Sequence, residues 1–276
     1  MDKRRMCPNC RAFITTSDRT CPYCEATVGP RAIDVRSPGD ILGGLIPHAR
    51  FTTTMILLVN FALFLATLLY DMQGERGGSL FTIEGMTLFL FGGKYPEAIV
   101  RGQYWRLVTA GFLHGGVLHI LMNMWALMDL GAQVEEMYGS ARLLVFYFVA
   151  SVAGFIASSF WSPALSIGAS AAVFGLIGAM IALGVRHNTA MGSAIRGHYI
   201  RWAIYGFLFG LLPGLQVDNA AHLGGLAAGF GIAYVAGEPR MPGSKTEKVW
   251  QAAAGICLAA TLYSFARMVL FLSSRP

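Results

Sequence analysis

The sequence predicts an all-α polytopic membrane protein with a small cysteine-bound head at its N-terminus. Three observations predict it. Of the 276 residues, 55% are hydrophobic and only 13% charged, against roughly 25% charged in a soluble domain. The charges also leave long stretches almost empty, and these run about 18–24 residues, enough to cross a hydrocarbon core at about 1.5 Å per residue. Finally, four of the five cysteines fall within the first 24 positions.

Seven spans follow from the apolar stretches, at about 52–70, 113–131, 143–160, 166–185, 202–217, 218–236 and 249–272. The formal net charge of +6 does not point to nucleic acid once its distribution is considered. With the N-terminus in the cytoplasm, cytoplasmic segments hold 15 Lys/Arg and the opposite side five (Arg76, Lys94, Arg101, Arg106 and Arg275), while Arg267 lies inside the last span. The excess of basic residues on the inner side orients the chain. The expectation is a cytoplasmic N-terminus and, after seven crossings, an extracytoplasmic C-terminus. The opening "MDKRRMCPNC" lacks the apolar core and cleavage site of a signal peptide, so the first span is expected to insert as an uncleaved anchor.

Residues 1–28 form the head. Cys7-Pro-Asn-Cys10 and Cys21-Pro-Tyr-Cys24 are two C-x2-C pairs separated by ten residues. Two thiolates three apart on a tight turn clasp one metal ion, and two such turns complete a tetrahedral four-sulfur site. A segment this short buries too little core to offset its ordering entropy, so a metal staple supplies what packing cannot. Structural Zn²⁺ on Cys7, Cys10, Cys21 and Cys24 is the expectation, giving a short zinc ribbon. Disulfides and a rubredoxin-like iron site are the alternatives; a reducing cytoplasm argues against the first, and spacing alone does not choose the metal. Four ligands leave no open position, so a catalytic metal is not expected. The head suits contact with a cytoplasmic protein partner. Cys257, in the last span, reads as a small buried apolar residue. From 29 to 50 the chain carries Pro30, Pro38, Pro47 and several glycines and reads as a linker with a short interfacial helix.

Polar and ionisable groups inside apolar spans are costly and mark functional sites. "HGGVLHILMNMW" places His114, His119 and Asn123 in the second span; Ser170 opens the fourth; "DNAAHLGGLAAG" brings Asp218 and His222 to the sixth. Asp129, Glu135 and Glu136 lie at the inner end of the second span, where water is close. Spans two, four and six all run from outside to inside, so His119, Ser170 and His222 share a shallow depth near the outer face. His119 and Asn123, four apart, face one side of a helix. Ala171, Gly175 and Ala179 repeat every four residues, as do Ala221, Gly225 and Gly229; such ridges of small residues let two helices touch in lipid. If they pack together, Ser170 and His222 come within hydrogen-bond reach. Histidine is then the base that a serine hydroxyl needs to act as a nucleophile. His119, Asn123 and the Ser170 backbone N–H are candidate donors to an oxyanion. The alternative has each group merely hydrogen-bonded within the bundle.

These residues resemble the rhomboid family of intramembrane serine proteases over roughly 51–237. The resemblance rests on five motifs in the family's order: Trp105-Arg106; His114, His119 and Asn123; Gly131, Glu135 and Gly139; Gly168 to Ser170; and Ala221, His222, Gly225 and Gly229. It implies a six-helix core with Ser170 as nucleophile, His222 as general base, and His119 and Asn123 assisting the oxyanion. It assigns Trp105, Arg106 and Glu135 to the stability of the fold, makes 71–106 a partly embedded outer loop, and makes the fifth span a lateral gate. Catalysis of this kind needs no cofactor. The substrates implied are transmembrane proteins cut in or near their spans, in the lipid bilayer of a bacterial plasma membrane. A catalytically silent relative that binds or scaffolds client helices is the alternative. The family often has glycine after the serine, where this chain has Ala171. Asp218, four before His222, is expected to be a helix N-cap rather than the third member of a triad. Residues 238–276 add a cytoplasmic loop and a seventh transmembrane helix to the core.

Overall fold

The structure is a computed structural model that describes residues 4–7, 9–10, 12–15, 18–28, 50–73, 79–212, 216–239 and 244–274. Apart from Arg50, the linker and its interfacial helix lie outside these residues. The chain divides into two compact units, Met1–His48 and Ala49–Pro276.

In the first unit, β1 (Arg4–Met6) pairs antiparallel with β2 (Phe13–Thr15), with Met6 opposite Phe13. Each C-x2-C pair closes its own tight loop, Cys7 N–H donating to Ala12 O at 2.8 Å and Cys21 N–H to Ala26 O at 2.9 Å. Ile14 and Val28 are buried against Cys7 and Cys21. That core is very small, as expected of a segment that depends on a staple.

The second unit is helical. Its long helices are α1 (Phe51–Met72), α5 (Val117–Tyr138), α6 (Ser140–Trp161), α7 (Ser170–Arg186), α8 (Ala190–Phe209), α9 (Asn219–Ala236) and α10 (Lys245–Ser273). Between α1 and α5 the outer loop folds into short helices α2 (Gly85–Leu90), α3 (Pro96–Val100) and α4 (Arg106–Thr109), followed by a single 3-10 turn at Ala110–Phe112. Among the described residues, α1, α5, α6 and α10 are long and apolar enough to cross a membrane, and α7 is a shorter apolar helix. The protein is an integral membrane protein.

The helices depart from the spans in informative places. The second span begins at Val117, so His114 lies in the approach to α5 rather than on it. The fifth begins twelve residues early, at Ala190, where Thr189 Oγ1 accepts from Gly192 N–H at 3.1 Å as an N-cap. Arg196 and Arg201 interrupt the apolar run there and hide the first half of α8 from hydropathy.

Three features fix the frame. Arg106 is fully buried under the outer loop; its guanidinium donates to Phe89 O at 2.6 Å, Gly93 O at 3.1 Å and Gln103 Oε1 at 2.7 Å. It also lies against the rings of Phe89, Trp105 and Phe271, so the outer loop and α10 share one cluster. At the other end of α5, the Glu135 carboxylate accepts from Thr52 N–H and Thr53 N–H, both at 2.9 Å, and from the Thr53 and Ser140 hydroxyls at 2.7 Å. An acid suits the positive N-terminal end of α1. Gly139, with φ +82, then makes the sharp turn into α6. Arg142 at the start of α6 makes a two-pronged ion pair with Glu247 of α10, at 2.7 and 2.9 Å.

Helix α7 sits at the centre, buried on nearly every side, and its most extensive packing is against α9. Seventeen residues span only about 26 Å, short of the roughly 30 Å hydrocarbon core. The helix is therefore shorter than a full span, and its N-terminus is reached by an extended segment, 162–169. That segment is tied down: Lys94 and Ser166 exchange both backbone hydrogen bonds, at 2.9 and 3.0 Å, and Gly168 N–H donates to Ala110 O at 2.9 Å.

Candidate active site

The contact between α7 and α9 depends on missing side chains. A β-carbon on Gly225 would lie 2.1 Å from Ala171 O, and one on Gly229 would lie 2.0 Å from Gly175 O. The two ridges of small residues do meet, backbone to backbone. Their meeting brings Ser170, the first residue of α7, to His222 in the first turn of α9, with Oγ and Nε2 2.8 Å apart.

The His222 ring is held by stacking. It lies on Phe174 with centroids 4.1 Å apart and planes within 13°. Its other nitrogen, Nδ1, is buried without a hydrogen-bond partner among the described residues. Asp218 does not reach it. One Asp218 oxygen caps α9, accepting from Ala221 N–H at 2.9 Å, and the other accepts from the Ser158 hydroxyl. The pair is therefore a dyad in geometry. Phe174 was not evident as a site residue in the sequence; its signal was its position four residues after Ser170, on the same face of α7.

His119 stands beside the pair. Gly115 N–H donates to its Nδ1 at 3.3 Å, which leaves the proton of the neutral ring on Nε2. That Nε2 lies 2.7 Å from where a β-carbon on Gly168 would be, a point only 3.7 Å from Ser170 Oγ. Gly168 also has φ +120, so both its backbone and its lack of a side chain are required. Asn123, one turn along α5, is buried and gives one amide hydrogen to His119 O at 2.9 Å; the second remains available. His114 packs edge-on against His119, ring centroids 5.0 Å apart, and is fully buried. The first N–H groups of α7 have no acceptor within the helix and present its positive end to the space above Ser170.

A hydroxyl bonded to an imidazole, with N–H groups beside it, is an arrangement that can carry out acyl transfer. A Rhomboid domain model matches residues 101–239, half of the chain and all of this constellation. The chain belongs to the rhomboid family. It is 38% identical over 176 residues to rhomboid protease GluP of Bacillus subtilis (strain 168), covering 64% of this chain and 34% of that protein. It is 30% identical over 236 residues to Rhomboid-like protease 1 of Toxoplasma gondii, covering 78% of each. With RHOMBOID-like protein 4 of Arabidopsis thaliana it shares 35% identity over 184 residues, or 60% of this chain and 43% of the other. The chain thus spans about a third of the length of the Bacillus relative.

In the head, the four cysteine sulfurs all lie within 4.8 Å of one another. Cys7 and Cys24 are 3.7 Å apart and Cys10 and Cys21 3.6 Å apart, far beyond a disulfide bond, and all four thiols are free. A tetrahedral site with metal–sulfur bonds of about 2.3 Å has edges of about 3.8 Å, so the four thiols can hold a metal ion. The Ala26 N–H and then the Asn9 amide hold the Cys24 thiol down at about 6, while against the pull of the Ala12 N–H the Cys24 thiol and burial push Cys10 up to about 12.

Proposed function

We propose that this rhomboid protein is an intramembrane serine endopeptidase that cuts transmembrane proteins in or near their spans. The observation that carries the reading is the 2.8 Å hydrogen bond between Ser170 Oγ and His222 Nε2. Ser170 Oγ attacks the scissile carbonyl carbon while its proton passes to His222 Nε2. The resulting oxyanion takes hydrogen bonds from the Ser170 N–H, the His119 Nε2–H and the Asn123 amide. Collapse breaks the C–N bond, and His222 returns the proton to the departing amine. A water molecule then attacks the acyl ester, losing its proton to His222, and collapse breaks the ester C–O bond as His222 returns that proton to Ser170 Oγ. Deacylation needs water, which must reach the dyad from the outer side.

With residues 51–237 as the catalytic body, the distribution of Lys and Arg supports a cytoplasmic head, an extracytoplasmic C-terminus and cleavage near the outer face of a bacterial plasma membrane. In the head, the tetrahedral sulfur spacing suits Zn²⁺ as a structural ion, held by Cys7, Cys10, Cys21 and Cys24, and the reading of zinc rather than iron rests on the resemblance to a short zinc ribbon. Zinc there would fold the head and expose a surface for a cytoplasmic partner; no catalytic step passes through it.

Purified protein is expected to cleave a model single-span substrate, and Ser170→Ala and His222→Ala are expected to abolish cleavage. A fluorophosphonate should label Ser170. Robust cleavage by Ser170→Ala would refute the mechanism, and persistent failure to label would favour a silent binder of client helices.

A further inference from the structure

The outer end of the bundle contains a second ionic group that the acyl-transfer chemistry does not use. Lys94, in the outer loop between α2 and α3, is fully buried. Its Nζ donates to Ser162 O at 3.1 Å and Ala164 O at 3.0 Å. Ser162 is the C-cap of α6, so the ammonium sits at the negative end of that helix. Across the segment 162–168 stands Asp218, at the positive end of α9. It takes hydrogen bonds from the Ser158 hydroxyl and from Ala221 N–H, and the Ser166 hydroxyl lies close enough to favour its charge. The two charges attract each other across the segment. The other acid acting on Lys94, Glu97, is exposed on α3, where water screens it.

Burial pushes the Lys94 ammonium below its ordinary value, against the pull of Asp218 and Glu97. Ser158, Ser166, Ala221 and Lys94 all favour the charged Asp218 carboxylate. Each charge is costly alone and supported by the other.

The placement of the pair gives it a second consequence. Lys94 and Ser166 join through both backbone hydrogen bonds, and four residues beyond Ser166 is Ser170. Asp218 is one turn before His222, whose N–H donates to Asp218 O at 3.1 Å. One side of the ionic group therefore fixes the segment that delivers the nucleophile, and the other fixes the first turn that delivers the base. The Ser158 hydroxyl bonds to Asp218 and the nearby Ser166 hydroxyl favours its charge, which links the two sides.

We propose that Lys94 and Asp218 act together as positioning residues, an electrostatic clamp that sets the distance between Ser170 and His222. The inference rests on the dyad reading and goes beyond it, since neither residue touches the reacting atoms.

The test uses the full-length protein in detergent with three variants: Lys94→Met, Asp218→Asn and the charge-free double variant. Asparagine caps helices as well as aspartate, so Asp218→Asn removes charge and leaves the cap. Three quantities are read: the rate at which a fluorophosphonate labels Ser170, kcat and KM on a single-span substrate, and Tm. Glu247→Gln, at the opposite end of the bundle, serves as a control that lowers Tm alone. Each single variant should slow labelling and lower kcat by about tenfold to a hundredfold, with KM little changed. The double variant should recover most of the loss, because neither charge is then left unpaired. Should Lys94→Met fail to fold, the milder Asp218→Asn still decides.

Wild-type labelling rates in Asp218→Asn would overturn the clamp. So would losses that match the fall in folded fraction, as in the Glu247→Gln control, or a double variant no faster than the slower single. None of these bears on the dyad, which stands or falls with Ser170→Ala.

Discussion

Replacing Gly225 by alanine adds one methyl group at the point where α7 and α9 touch. The new β-carbon would lie 2.1 Å from Ala171 O, where ordinary contact begins at 3.4 Å. The helices must part by about 1.3 Å, because the obstacle is backbone and cannot turn aside. Ser170 is one residue from Ala171 and His222 three from Gly225, so the displacement falls on the 2.8 Å hydrogen bond and stretches it to about 4 Å. A misplacement of about 1 Å at a reacting pair costs about a hundredfold in rate, and overpacking a close contact costs about 1–3 kcal/mol of stability. Gly231, on the same helix, has nothing within 4 Å of its own added β-carbon. Gly231→Ala should keep full activity and gain up to about 1 kcal/mol from the better helix former. The assay is the rate of fluorophosphonate labelling at Ser170, normalised to folded protein and paired with cleavage of a single-span substrate. Wild-type labelling by Gly225→Ala would refute the argument that backbone contact between these helices sets the geometry of the pair.

Three further outcomes follow from the same geometry. Asn123→Ala and His119→Ala should each lower kcat by about a hundredfold to a thousandfold with KM little affected, since an oxyanion donor acts only in the transition state; steady-state kinetics would show a rise in KM alone if they merely bound substrate. Cys7→Ser should abolish bound zinc as measured by elemental analysis of purified protein, and unchanged metal content would exclude the four-cysteine site. Glu247→Gln leaves the buried Arg142 guanidinium without its counter-charge and should cost about 3 kcal/mol, read as a lower Tm at constant activity per folded molecule; an unchanged Tm would show that α10 is held by its apolar face alone.

The constellation was legible in the sequence because depth in a membrane can be counted from the ends of spans, and small residues at intervals of four mark helix contacts. Ser170, His222, His119 and Asn123 came from those two facts. The expectation that Asp218 caps α9 was legible for the same reason, from its place at the outer end of the sixth span, and Ala221 N–H bears it out. Lys94 gave no such signal. It lay among charges counted only for their side of the membrane, and its partners are carbonyls 68 and 70 residues away. A contact made by backbone carbonyls carries no residue code. The start of α8 was obscured for a different reason: two arginines lower the local hydropathy without breaking the helix. Phe174 was hidden among apolar neighbours, because stacking under an imidazole leaves the same sequence trace as ordinary packing.

Glu135 has a consequence for how the chain is assembled. The carboxylate that receives the first amides of α1 lies 82 and 83 residues further along the chain. Synthesis proceeds from the N-terminus, so α1 enters the bilayer before its own cap exists. Until α5 arrives, interfacial water must serve the amides of Thr52 and Thr53. When the cap closes, it also takes the hydroxyl of Ser140 at the head of α6. The completion of the first helix thus reports that the second and third have been threaded, and an early helix stays adjustable until the later ones lock it.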